Sequence, residues 1–274
     1  MTKHSSDRSA EVHRIEFDGA RYRRASTHQK EWGSRLISEL VFQGNEDVLD
    51  VGCGDGVLTA QLADLVPAGR VLGIDASSSM IDTARTNVRP NLSFLLLDVT
   101  QAEFSNEFDI VFSNATLHWV HDHGNLLQIL HRALKDGGVL RTNFGADGNC
   151  PTFFRVARQL MDSDVFRSAF RGFRWPYFMP LVESYERLVM DSPFADVRVW
   201  GENADRHFPD VATMLRWLDQ PAILPFKRQL DSETAERFHA AVAARMERET
   251  IQPDGTCFEA FERVNVFARK QSNL

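Results

Sequence analysis

Three glycines at alternate positions, Gly52, Gly54 and Gly56, cut off a short β-type run, Asp47-Val48-Leu49-Asp50-Val51, and a helical pattern of Leu58, Gln61, Leu62 and Leu65 begins directly behind them. Strand, glycine turn and helix is how a backbone reaches in to hold a small cofactor. Glycine takes φ > 0 without strain and has no side chain to keep a ligand away. The helix start then presents unpaired N–H groups to polar or anionic ligand atoms. A dinucleotide turn needs G-x-G-x-x-G, its third glycine packing the helix on the sheet. Here position 57 is Val and Asp50 stands inside the run, so the pattern is D-x-G-x-G-x-G.

Strand and helix alternate around that turn. Trp32, Leu36, Ile37, Leu40 and Val41 recur at helical spacing before it, with Ser26 or Thr27 as the N-cap. Strands are expected at 70–75, 92–97, 108–113 and 139–144, with a helix running from Ser77-Ser78-Ser79 to Val88 and another through Leu126, Leu127, Leu130 and Leu134. The apolar run at 92–97, interrupted by Ser93 alone, suits a strand covered on both faces. Such alternation implies βαβ units and a parallel sheet. It stops after residue 145. Residues 151–190 read as mostly helical, with the aromatics Phe153, Phe154, Phe166, Phe170, Phe173, Trp175, Tyr177 and Phe178 interleaved with Arg155, Arg158, Arg167, Arg171 and Arg174. A strand at 197–200, helix over 209–250 and a final strand at 264–268 complete the chain. The expected plan is a flexible N-terminus (1–21), a cofactor-binding core (22–145), a helical cap insertion (146–193), and the remaining core strands (194–274) carrying a second helical insertion at 209–250. The cap belongs over the carboxyl ends of the strands, where open α/β sheets bind ligands.

Two acids narrow the ligand. Asp75 ends the second strand about 20 residues beyond the glycine turn, where an acid takes both hydroxyls of a ribose. Asp98 ends the third strand in Leu95-Leu96-Leu97-Asp98-Val99. Together they indicate an adenosine-type ligand. Asp50-Val51-Gly52-Cys53-Gly54-Asp55-Gly56 is similar to motif I of the class I S-adenosylmethionine (SAM)-dependent methyltransferases. Gly73-Ile74-Asp75-Ala76 through Met80 looks like motif II, Asp98-Val99 like motif III, and the run from Phe108 to Val120 resembles motif IV with its extension. The turn Leu134 to Leu140 matches the segment after that. Ser113-Asn114-Ala115-Thr116-Leu117-His118-Trp119-Val120 resembles the small-molecule branch related to trans-aconitate and juvenile-hormone-acid methyltransferases.

That resemblance implies a Rossmann-like, seven-stranded, mostly parallel sheet of order 3-2-1-4-5-7-6 with its last strand antiparallel, and SAM as cofactor. It implies that the backbone of Gly52, Cys53 and Gly54 passes close to the methionine part of SAM, that Asp50 meets its ammonium through water, and that Asp75 holds the ribose. Ala76 and Met80 would line the adenine, Asp98 and Val99 would read its edge, and Asn114 would lie beside the transferred methyl. Tyr22, Gln29 and Trp32 would close the pocket from the first helix, although Trp32 equally suits a core aromatic. His118 and Trp119, just past the fourth strand, are with Asn114 the candidates for handling an acceptor. His118 is either a base or a wall of the pocket. His121 and His123 are expected to cap the next helix. No histidine has an acid partner at ligand spacing, so no metal is expected.

Composition closes off other classes. A net charge of −7 over 274 residues gives no pull towards nucleic acid or anionic membrane, and Asn114 lacks the Pro-Pro-aromatic that usually follows in enzymes methylating base amino groups. No uncharged run of about 18 residues offers a membrane span. Cys53, Cys150 and Cys257 are widely spaced, which suits a reducing compartment, and the polar first ten residues carry no leader, so a cytoplasmic location is expected. Nothing argues against a homo-oligomer. The aromatic and arginine cluster suggests a small, partly hydrophobic acceptor: a carboxylate taking the methyl on oxygen, or a prenyl or indole natural product taking it on carbon. The competing reading is a SAM-binding scaffold or regulatory subunit without turnover.

Overall fold

The protein is described by a computed structural model over residues 16, 18, 19 and 27–272; Tyr22 and Ser26 lie outside the described residues. Helix α1 (Thr27–Ser38) is followed by β1 (Asp47–Val51), α2 (Val57–Leu65), β2 (Arg70–Asp75), α3 (Ser78–Ala84), β3 (Leu92–Leu96), β4 (Phe108–Asn114), α4 (His123–Ala133) and β5 (Leu134–Gly145). Next come α5 (Pro151–Met161), α6 (Val182–Met190), β6 (Phe194–Asn203), β7 (Arg206–Phe208), α7 (Val211–Trp217), a π-helical turn (Leu218–Ala222), α8 (Leu224–Lys227), α9 (Ser232–Thr250), β8 (Cys257–Glu259) and β9 (Glu262–Lys270).

Seven strands form one sheet in the order β3-β2-β1-β4-β5-β9-β6. β1 to β5 pair in parallel, and β9 runs antiparallel to both its neighbours. The expected order and the antiparallel final strand are therefore found, β9 being the seventh strand of this sheet. The central strands are apolar on both faces because helices cover both. Leu49, Val51, Phe144 and Val264 pack with α4 and α6, whereas Val48, Ile110 and Phe112 pack with Leu36 and Ile37 of α1, Leu62 of α2 and Ile81 of α3.

Several expectations need correction. β3 is the sheet edge, not a doubly covered strand: Leu95 and Leu96 are 43% and 41% exposed. An apolar run cannot report how many partners a strand has. The helix after Ser77 ends at Ala84 and tightens into a single 3-10 turn over Arg85–Asn87. Asp122, not a histidine, caps α4, accepting from the Asn125 N–H at 3.0 Å. His123 is instead buried, its ring bonded to the Tyr185 hydroxyl at 2.8 Å and the Leu117 carbonyl at 3.0 Å. The β7–β8 ribbon was not legible in the sequence, since three-residue strands show no period.

The segments outside the sheet share their own core. Phe153, Val156, Phe166 and Trp217 pack with Phe226, Phe238, Val242 and Met246. Edge-to-face pairs such as Phe153–Phe226 (5.6 Å, 82°) and Phe166–Phe238 (5.3 Å, 85°) each add about 0.5–1.5 kcal/mol to area burial. Glu259, fully buried, accepts from the Thr152 and Phe153 N–H groups at the start of α5. Burial pushes its carboxyl up to about 7 against those bonds. Among the described residues no helix is long and apolar enough to cross a membrane.

A polar seam crosses the sheet through β5, β9 and β6. Arg141 donates to Glu39 at 2.7 Å and to the Asn265 side chain at 3.0 Å. Asn143 donates to the same Asn265 oxygen at 2.8 Å, and Asn265 donates to Glu202 at 3.0 Å. Arg263 donates to the Asn143 side chain through Nε and to its carbonyl at 3.3 Å. Arg141, Asn143, Arg263 and Asn265 are all buried, so each needs the others to satisfy its polar atoms.

Candidate active site

The glycine turn closes over the carboxyl end of β1. Gly52, Gly54 and Gly56 have φ of 73°, 54° and 77°, the left-handed region that side chains avoid. The turn is clamped from both sides. The Ile74 carbonyl accepts from the Gly52 and Cys53 N–H groups at 2.8 and 3.0 Å. The Thr116 hydroxyl donates to the Gly52 carbonyl at 3.1 Å. A Cβ on Gly52 would run into the Thr116 side chain.

Beyond the turn lies a cavity of about 790 Å3. One half is bounded by Gly52, Gly54, Asp75, Ala76, Met80 and Asp98, with Val99 beside them. Asp75 accepts from the Gly54 N–H at 3.0 Å and the Ser77 N–H at 2.9 Å, which fixes its carboxylate at the end of β2. Asp98 accepts from the Thr100 N–H at 2.9 Å through one oxygen. Two carboxylates, a left-handed glycine turn and an apolar Met80 fit a ribose, a polar amino-acid chain and a purine, the parts of SAM. Gln29 and Trp32 of α1 line the same space.

Two residues expected near the cofactor, Asn114 directly and Asp50 through water, lie behind this wall rather than on it. Asn114 is 8% exposed and turns its amide to the Gln29 carbonyl at 2.8 Å, tying α1 to the end of β4. The Cys53 side chain packs with Leu62 and Phe94 in the core, which leaves its backbone in the glycine turn. Asp50 is 2% exposed and accepts from the Thr59 hydroxyl at 2.7 Å. Burial raises its carboxyl from 3.8 to about 7, the Thr59 bond opposing and the Asp75 charge adding. A raised acid keeps its proton in the folded chain where the unfolded chain has released it. The site's contribution is therefore complete below about pH 3.8 and is lost as pH rises towards 7, by up to about 1.4 kcal/mol per unit. Asp50→Asn is expected to remove that loss, so its unfolding free energy in urea should gain on the parent between pH 5 and 7. A gap that stays constant would overturn the assignment.

The other half of the cavity is aromatic. Trp119, Tyr177, Phe154, Phe173 and Trp175 line it, with Trp217 and Phe261. Trp119 and Tyr177 lie 4.7 Å apart, and His118 stands 5.0 Å from Trp119. The His118 Nδ1 is buried with no hydrogen-bond partner among the described residues, as are the side-chain oxygens of Gln29 and Asn149. All three residues line the cavity. Burial, then the charge of Arg263, pulls the His118 imidazole down to about 3. Burial pushes the Tyr177 phenol and the Cys150 thiol up.

The arginine cluster foreseen as an anion clamp mostly faces elsewhere. Arg155 pairs with Glu249 at 2.6 Å, Arg167 with Asp164 at 3.2 Å, and Arg158 covers the Trp175 ring at 4.2 Å. Only Arg174 of that group lines the cavity. The buried cation in the wall is Arg263, which sequence reasoning missed. Its guanidinium lies 4.2 Å over the Trp32 ring. One arginine in a final strand carries no motif, and only the sheet order brings it beside His118.

In sequence and in fold the chain is similar to known methyltransferases. The family profile described as a methyltransferase domain matches residues 48–138. A trans-aconitate 2-methyltransferase of Deinococcus radiodurans is 30% identical over 222 residues, 79% of this chain and 84% of that one. A protein of the same name from Methylobacterium radiotolerans is 28% identical over 262 residues, covering 94% and 99%. Among solved structures, phosphoethanolamine N-methyltransferase 2 of Haemonchus contortus in complex with SAM aligns with a TM-score of 0.59 at 19% identity, over 93% of this chain and 57% of that one. Geranyl diphosphate C-methyltransferase of Streptomyces coelicolor A3(2) aligns at 0.51 and 17% identity, over 88% and 77%. At such identities the last two show a shared fold.

Proposed function

The chain belongs to the class I SAM-dependent methyltransferases, in the group resembling trans-aconitate 2-methyltransferase, and from that premise we propose that it esterifies the carboxylate of a small, partly hydrophobic acid. SAM is its cofactor. The observation that carries the carboxylate is the acceptor half's lack of a buried base. Desolvation holds the His118 imidazole down at about 3 and pushes Tyr177 and Cys150 up. None of these three takes a proton at neutral pH, so none of them ionises a hydroxyl or ammonium acceptor. A carboxylate arrives already ionised.

When bound, SAM supplies a methyl on a sulfonium: a carboxylate oxygen forms the new O–C bond as the C–S pair returns to sulfur, and no proton moves. The protein's share is placement. Asp75 and the glycine turn fix one reactant, while Trp119, Tyr177 and Phe154 hold the other and exclude water. Such positioning supplies roughly 7–11 kcal/mol. Aromatic faces beside a positive sulfur add about 0.5–2 kcal/mol in a dry site.

The test is methyl-labelled SAM with trans-cinnamate, indole-3-acetate, geranate and trans-aconitate. Label released as methanol by mild base marks a methyl ester. Base-stable label would mean transfer to carbon or nitrogen, and tight SAM binding without transfer would leave a scaffold. Because His118 stays neutral, kcat should be flat between about pH 5.5 and 8.5. A fall below pH 6.5 that His118→Gln abolishes would restore it as a base.

A further inference from the structure

We infer that Asn149 selects the acceptor, accepting a hydrogen bond from an O–H or N–H group that the acid carries beside its reacting carboxylate. This rests on the esterification proposed above. Asn149 is 8% exposed and lines the cavity, and its Oδ1 is buried without a hydrogen-bond partner among the described residues. Its backbone is fixed in the turn after β5. The Asn149 N–H donates to the Ala146 carbonyl at 3.1 Å, and the Cys150 N–H donates to the Ala260 carbonyl at 2.9 Å. Gly145 leaves room for the amide, because an added Cβ would lie 3.1 Å from Nδ2. Nδ2 itself faces two sulfurs, Cys150 Sγ at 3.3 Å and Met179 Sδ at 3.9 Å. Sulfur is a weak acceptor, so the amide turns readily and its oxygen is the end left for a ligand. A buried oxygen without a partner is the exception in folded proteins and calls for one. His118 is the second polar group of this chamber. Its carbonyl accepts from the Phe178 N–H at 2.8 Å, one residue before Met179, and its buried Nδ1 has no partner among the described residues.

A carbonyl oxygen only accepts, and that sets the acceptor class. The aromatic faces of Trp119, Tyr177, Phe154 and Trp175 hold the body of the acid, but apolar walls discriminate weakly between tails of similar shape. A buried polar atom discriminates strongly. An acceptor that fills the aromatic half expels water from it. An acid with an O–H or N–H in reach then pairs with the Asn149 oxygen, whereas one without seals that oxygen in unpaired. An ether, a ketone or a second ionised carboxylate sets lone pairs against lone pairs. A neutral imidazole bonds an O–H or N–H in one tautomer or the other, so His118 adds to the preference without setting it. The acceptor is therefore an aromatic or prenyl acid with a hydroxyl or a ring N–H, such as a phenolic or indolic acid.

The experiment compares matched acids on the full chain. Binding is read by calorimetry on the protein saturated with S-adenosylhomocysteine, and turnover by methyl-labelled SAM. One pair is indole-3-acetate with benzofuran-3-acetate, in which a ring oxygen replaces the N–H at nearly the same shape. The other set is trans-cinnamate with its ring-hydroxylated and ring-methoxylated forms. The inference expects indole-3-acetate, or at least one hydroxycinnamate, to bind at least about tenfold tighter than its partner without the donor. Asn149→Leu should bring that ratio to within about twofold and leave S-adenosylhomocysteine affinity unchanged. A variant that merely loosens the fold weakens both members of a pair and keeps their ratio. Asn149→Ala repeats the measurement if the leucine does not fit. Donor and donor-free acids binding the parent equally would overturn the inference, as would a ratio that survives both substitutions. Tighter binding of the benzofuran or methoxy compounds would overturn the donor assignment, because the amide would then be presenting Nδ2. A preference for trans-aconitate, whose carboxylates are ionised at pH 8, would overturn it as well. Donor-bearing acids that bind through Asn149 but gain no base-labile methyl would instead defeat the esterification reading and leave the selection standing.

Discussion

Asp75→Ala weakens binding of S-adenosylhomocysteine by about 10²–10³-fold, measured by calorimetry on a variant that still melts cooperatively. Asp75 accepts from the Gly54 and Ser77 N–H groups at 3.0 and 2.9 Å, so both oxygens are aimed before any ligand arrives. Hydrogen bonds to a charged group contribute about 1.5–3 kcal/mol each, and tenfold in affinity is about 1.4 kcal/mol. Two ribose hydroxyls therefore account for the expected loss. Asp75→Asn keeps the shape and one acceptor, so it should fall about tenfold. An Ala variant within about threefold of the parent would remove Asp75 from the ribose site.

Gly52→Ala should lower stability by about 3 kcal/mol. Part of this is the left-handed backbone, roughly 1–2 kcal/mol for a residue with a Cβ, at a φ of 73°. The rest is overpacking against Thr116, typically about 1–3 kcal/mol. For a chain of this size the melting temperature should drop by roughly 6–12 °C. Pairing it with Thr116→Ser removes one of three overlapping atoms, since the Thr116 hydroxyl oxygen and Cβ would also lie 2.2 and 2.5 Å from the new Cβ, so it should recover a fraction of the overpacking and none of the backbone strain. A single variant melting within about 2 °C of the parent would show that the turn relaxes freely.

The cofactor half of the site was legible because its determinants are local. A glycine turn and an acid at each of two strand ends all report backbone geometry within a few residues, and the structure places Gly52, Gly54, Asp75, Asp98 and Val99 together around one cavity. Local pattern could not say which side chains of those motifs face inward. Asn114 and Asp50 sit in the right runs yet point into the protein. The acceptor half was opaque for the opposite reason. His118 meets Arg263 through the pairing of β5 with β9, and the arginines that looked like a clamp at 155–174 are mostly spent on Glu249, Asp164 and Trp175. The exposed β3 shows the same limit, because residue type does not record whether a strand has one neighbour or two.

The position of β9 also sets an order of assembly. β1 to β5 form one unbroken block of the sheet, with β4 pairing back onto β1, so residues 47–145 can pair as they leave the ribosome. β6 cannot join, because among the described residues its only partner in the sheet is β9, which is made after α9 and β8. During synthesis the edges of β5 and β6 therefore wait with their backbone groups unpaired, and closing that gap spans more than a hundred residues for β5. Such long-range pairing is slow, and open strand edges are where chains stick to one another. The half that holds the cofactor can take shape early, whereas Arg263 reaches the acceptor chamber only when the last strand slides between two that are already made.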